Sequence, residues 1–139
     1  MNDQNSRADL QLLNPQALYD PSANAYSQIA VTGGTRLAFI SGQGGDNSDG
    51  SFSPDFAVQA ERAFRNLGLA LEALGAQTHD VVKITVMIVQ HDMQKLKIMQ
   101  AAQRGLLGAH HPAATLIPVP CLALPQMQIE VEAIVALTG

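Results

Sequence analysis

The chain reads as an α+β domain of order ββαβαββ whose sheet needs a second copy of the chain to cover it. Three observations carry that reading. Two stretches repeat apolar residues at three- and four-residue steps, β-branched runs lie between and around them, and the central run is apolar at both alternating sets of positions. At 139 residues, against roughly 150 per domain, the chain has room for one domain, and 47% apolar composition is enough to build its core. We divide it into an N-terminal arm over residues 1–23 and a single domain over 24–139.

The arm is polar, broken by Pro15 and Pro21, with one apolar patch at Leu10, Leu12 and Leu13. The first strand is expected over 27–32 and the second over 36–42. Gly33 and Gly34 between them suggest a hairpin, because glycine takes positive φ at little cost. Residues 43–51, rich in Gly, Asp, Asn and Ser, read as a loop. The first helix starts at Ser53-Pro54-Asp55, with Ser53 as N-cap, Pro54 at the first helical position and an acid in the first turn. Phe56, Ala60, Ala63, Phe64, Leu67, Leu71 and Leu74 then form one stripe, and Gly75 ends it as a left-handed cap.

Val81 to Val89 is β-branched and nearly continuous, as in a strand covered on both faces. His91-Asp92 opens a second helix running to about Leu107, with Leu96, Met99 and Leu106 inward and Lys95, Lys97 and Gln103 outward. Residues 115–119 form a strand hemmed by Pro112, Pro118 and Pro120, which suits a sheet edge. The last strand, 128–137, alternates strictly at its start. Strand-helix-strand crossovers put both helices on one side of the sheet, so the other apolar face calls for a partner, most simply another copy.

Composition excludes several classes. A net charge of -4, with no Trp and two Tyr, is a poor basis for a nucleic-acid groove. A single cysteine allows no internal disulfide, and no apolar run reaches the ~18 residues of a membrane span. The first residues carry neither a basic segment nor an apolar core, so no secretory signal is read there and a cytoplasmic location is expected. The four histidines (His79, His91, His110, His111) lack metal-ligand spacing, so no metal and no cofactor is expected. Cys121, between prolines, reads as a packed or semi-exposed thiol, and the glycine loop lacks the residues of a phosphate cradle. Glu130 and Glu132 share one face of the last strand. They form either a solvated strand face or a carboxylate pair in an intersubunit cleft suited to proton transfer.

Several segments in order resemble one family. Pro112-Ala-Ala-Thr-Leu, Leu124-Pro125 and Ile129-Glu-Val-Glu-Ala-Ile134 are similar to the signature of the Rid proteins (reactive intermediate deaminases, YjgF-type, also known as L-PSP endoribonucleases). Asn24-Ala-Tyr26-Ser-Gln, Phe39-Ile-Ser-Gly-Gln43, Leu71-Glu-Ala-Leu-Gly75 and Asp80-Val-Val-Lys fit the same pattern, so the resemblance spans 24–137. It implies a chorismate-mutase-like fold, a homotrimer with its sheets facing inward, and small-molecule pockets at the subunit seams. It also implies cofactor-free hydrolysis of amino-acid-derived enamines and imines to 2-oxo acids and ammonia. Carried over residue by residue, the water-activating glutamate falls at Glu130, the pocket tyrosine at Tyr26 and the pocket glycine at Gly42. The asparagine of the second helix falls at Gln100, and a cysteine of some members at Leu116. The arginine that clamps the substrate carboxylate falls at Ala114.

Losing one partner of a buried guanidinium-carboxylate pair typically costs about 2–5 kcal/mol, so activity on 2-imino acids should be weak or absent. Arg104, His110 and His111 are the candidates for a replacement cation. Two readings follow. One is an enzyme acting on a small enamine, imine or related electrophile without a free 2-carboxylate, with Glu130 as acid/base. The other is a trimer that holds a small metabolite without turnover. Ribonuclease activity fits the acidic charge poorly.

Overall fold

The computed structural model describes residues 10–33 and 36–137. Two short strands, β1 (Gln11–Leu13) and β2 (Ile29–Val31), pair antiparallel. Four longer ones follow: β3 (Arg36–Gly44), β4 (Val81–Val89), β5 (Ala113–Val119) and β6 (Ile129–Leu137). They form one sheet in the order β3-β6-β4-β5, with β4 and β5 parallel and the other pairs antiparallel. Helices α1 (Phe56–Leu74) and α2 (Met93–Leu107) provide the second layer of an α+β fold.

Register assigns the faces. Ile84, Val86 and Ile88 of β4 lie level with Ala133, Val131 and Ile129 of β6. All six are buried, in one core with Ala60, Ala63, Phe64, Leu67 and Leu71 of α1 and Met99 and Leu107 of α2. Each large apolar side chain buried there contributes about 1.5–3 kcal/mol. The opposite face carries Phe39, level with Ile134, which is level with Lys83. Phe39 is 71% exposed, so among the described residues nothing covers that part of the face.

The expected hairpin between the first two strand runs does not form. β3 takes β6 as its partner, and β2 takes β1 from the segment read as an arm. Gly34 of the expected turn lies outside the described residues. The apolar residues of both runs explain the choice: β3 gains more burial beside the long β6 than beside three residues of β2. α1 begins later than expected. Asp55, with extended backbone, is the N-cap, and its carboxylate accepts from Ala57 N at 3.0 Å, while Ser53 Oγ accepts from Asp55 N. A carboxylate at the cap also complements the helix dipole, which a hydroxyl does not. Gly75 closes α1 at φ 69° as expected. β3 runs on to Gly44, so the following loop is shorter than 43–51.

Candidate active site

Two groups of candidate residues gather, on different parts of the sheet. The first lies on its open side. Glu130 and Glu132 sit at alternate positions of β6, and Glu130 is half-buried while Glu132 is exposed. β3 is irregular between Ile40 and Gln43, and this brings Gly42 over Glu130. A methyl group on Gly42 would stand 2.5 Å from Glu130 Cδ and 2.6 Å from Oε2. The carboxylate therefore lies against bare backbone, where no other residue type would leave it room.

The second group lines a cavity of about 550 Å³ at the β5 edge, between that strand, α2 and residues 19–28. Tyr26, Gln100, Ala114 and Leu116 all line it, as the resemblance implied for one pocket. Ala114 and Leu116 are level with Ile84 and Val86, so they face the helix layer, away from Glu130. Glu130 and Gly42 do not line the cavity. Within one chain the expected site is thus in two halves.

Helix α2 fixes the cavity wall. Gln100 Nε2 donates to Asn24 O at 3.5 Å, Gln103 Nε2 to Ala25 O, and Arg104 Nη2 to Ala23 O at 2.7 Å. Three side chains on one helix face hold three successive carbonyls of a 3₁₀ turn that ends at Ala25 in left-handed backbone, φ 67°. Ser27 ties the segment to the start of β5, its N–H donating to Pro112 O at 2.9 Å and its hydroxyl to His111 O. Gln103 was expected outward, as a polar residue beside lysines. It is 3% exposed, because the Ala25 carbonyl offers its amide a buried partner.

None of the suggested replacement cations lines the cavity. Arg104 grips Ala23, and the His110 ring bonds Val81 O at 2.8 Å. Burial, with His79 and His111 nearby, holds the His110 pKa below its usual value against the opposing pull of Val81 O and Asp80. Lys83 donates to Thr115 Oγ1 at 2.9 Å without lining the cavity. Sequence reasoning missed Tyr19, Gln28, Gln103 and Thr115 as lining residues. Gln28 stood in the quoted Tyr26-Ser-Gln motif, but nothing local marked Tyr19.

A larger groove of about 770 Å³ runs between the helices past Arg62, Arg65, Ile98 and Ala102 and holds no candidate residue. Among the described residues, no three His, Cys, Asp or Glu side chains gather as a metal set, and no helix is long and apolar enough to cross a membrane. Cys121 is exposed.

The Endoribonuclease L-PSP family model matches residues 17–137. The RutC family protein YjgH of Escherichia coli is 33% identical over 97 residues, covering 70% of this chain and 74% of its own. The 2-iminobutanoate/2-iminopropanoate deaminase of Rattus norvegicus is 34% identical over 113 residues, covering 79% and 78%. Among solved structures, the Rid family protein YyfB from Yersinia pestis, described as of unknown function, superposes with a TM-score of 0.87 at 29% identity, covering 93% of this chain and 99% of its own. Fold, signature and relatives agree, and the chain belongs to the Rid (YjgF/RutC, L-PSP) family.

Proposed function

We propose that this protein hydrolyses a small imine, or an enamine after tautomerisation, releasing ammonia at a site built from the two halves described above. Relatives named as 2-iminobutanoate/2-iminopropanoate deaminases support the reaction class. The seating of the Glu130 carboxylate against Gly42 is the observation that supports it most. In the reaction Glu130 takes a proton from water as the oxygen attacks the imine carbon. It then returns the proton to nitrogen, and a second transfer through Glu130, from the adduct's hydroxyl to its nitrogen, breaks the C–N bond and leaves carbonyl plus ammonia. Such proton transfer contributes typically 10²- to 10⁴-fold. Tyr26 and the Gly42 backbone hold the substrate.

The halves lie on different faces, so the site is complete only where the open sheet of one copy meets the cavity of the next. A homotrimer with inward-facing sheets achieves this and covers Phe39. With Ala114 where the resemblance puts the carboxylate-clamping arginine, and with no charged side chain among the described residues that line the cavity, we take the substrate to lack a free 2-carboxylate. RNA is a poor fit, since Glu130 and Glu132 would oppose its phosphates.

The test is ammonia release from imines generated in situ. Turnover should fall at least about 100-fold in Glu130→Gln, and unchanged turnover removes Glu130 from the mechanism. Ligand-induced thermal stabilisation with no product from any imine would replace the enzyme with a binding trimer.

A further inference from the structure

We propose that the cavity between β5 and α2 recognises a primary carboxamide, so that the substrate is the imine or enamine of a 2-oxo carboxamide. This rests on the reading above and names its substrate class.

Three glutamines carry the inference. Gln28, Gln100 and Gln103 all line the cavity, and each points its Nε2 at a backbone carbonyl: Tyr19 O at 2.9 Å, Asn24 O at 3.5 Å and Ala25 O. A carbonyl can only accept, so it fixes which end of each amide faces it. The oxygens are what remain for a ligand. That of Gln103 has no partner among the described residues and is not sealed off from the cavity, so it is free to accept from a ligand. A carboxylate brought here would meet oxygen lone pairs.

Donors stand in the same wall. Tyr26 has no hydrogen-bond partner among the described residues. Asn24 uses its Oδ1 for Tyr19 and keeps its amino group. Acceptors and donors together match a group that both donates and accepts. A primary carboxamide does so, whereas a carboxylate only accepts and an ammonium only donates. Val86, Leu96, Met99, Ala114 and Leu116 supply an apolar lining for a short alkyl stem. The balanced reaction is R–C(=NH)–CONH₂ + H₂O → R–C(=O)–CONH₂ + NH₃. The C=N bond is exchanged for C=O, nothing is oxidised or reduced, and the carboxamide is untouched.

The experiment is calorimetric titration of the full chain with 2-oxobutanamide and 2-oxobutanoate, which match in shape and differ in charge. The amide should bind at least about 30-fold more tightly, since the acid must bury an uncompensated charge. Gln28→Leu and Tyr26→Phe, both at half-buried positions where folding should survive, should each weaken amide binding about three- to tenfold. Acid binding as tight as amide binding overturns the inference. So does failure of the amide to bind, or amide binding that neither variant changes. Each of these outcomes is separate from the role of Glu130, which stands or falls on ammonia release from the Glu130→Gln protein.

Discussion

Gly42 and Gly45 lie three residues apart, yet a methyl group would meet different obstacles at each. At Gly42 it would strike the end of the Glu130 side chain, which can swing away. Gly42→Ala should therefore leave stability within about 1 kcal/mol of wild type while lowering turnover at least about tenfold, by displacing the carboxylate. At Gly45 the methyl group would stand 2.5 Å from Gln59 O and 2.6 Å from its Cα, and backbone cannot yield so easily. Gly45→Ala should cost about 1–3 kcal/mol in urea unfolding. Gln59 is itself fully buried, donating to Ser53 O and Gln126 O and accepting from Gln128 N. Gln59→Leu strands all three groups and should cost about 3 kcal/mol by the same measurement, and a loss under 1 kcal/mol would show that the loops rearrange to re-pair them. The face on which Glu130 lies was legible in the sequence because strand alternation places it opposite the buried set Ile129 and Val131. Gln59 and Gln103 were not, because burying them depends on carbonyls 67 and 78 residues away and polarity alone puts a glutamine outside.

Elements with local signals were read well. The stripe and left-handed Gly75 delimit α1, and Asp92 caps α2 through Lys95 N, because caps act within a few residues. Strand partnership is decided across the molecule, and there the paired glycines misled. Position β5 at the edge followed from its prolines, which cannot donate to a second neighbour. The end of α2 also carries a pH response. His110, at the junction of α2 and β5, is held below its ordinary pKa mainly by burial. Between that lowered value and the unfolded value of about 6.5, the unfolded chain binds more protons than the folded one. Stability is therefore complete above about pH 6.5 and is lost as pH falls towards the folded value. The urea midpoint should drop from pH 7 to pH 5.5, and His110→Gln should flatten that drop. An equal drop in the variant would place the response elsewhere.

At the scale of the whole molecule, the open sheet and the divided site are one problem. The face that bears Glu130 also bears Phe39, whose exposure costs a monomer solubility, and among the described residues no acid lines the cavity at the β5 edge. The sequence announced the uncovered face through the two-sided apolar pattern of β4. It could not show that the site residues part company within one chain, because that depends on the register of β6 against β4 and of β4 against β5. If each site joins Glu130 of one copy to the cavity of another, two inactive variants should repair each other. Glu130→Gln chains carry an intact cavity, and Tyr26→Phe chains with Leu116→Arg to block the cavity carry an intact Glu130. Mixed and reassembled in equal amounts, they pair a sound acid with a sound cavity at about a quarter of sites, so turnover should return to about a quarter of wild type. Sites held within single chains would instead give no recovery, since every chain in the mixture carries a defect. Phe39→Glu supplies the matching control: if copies meet over this face, a charge there should yield a folded monomer in sedimentation and abolish ammonia release although every site residue is unchanged.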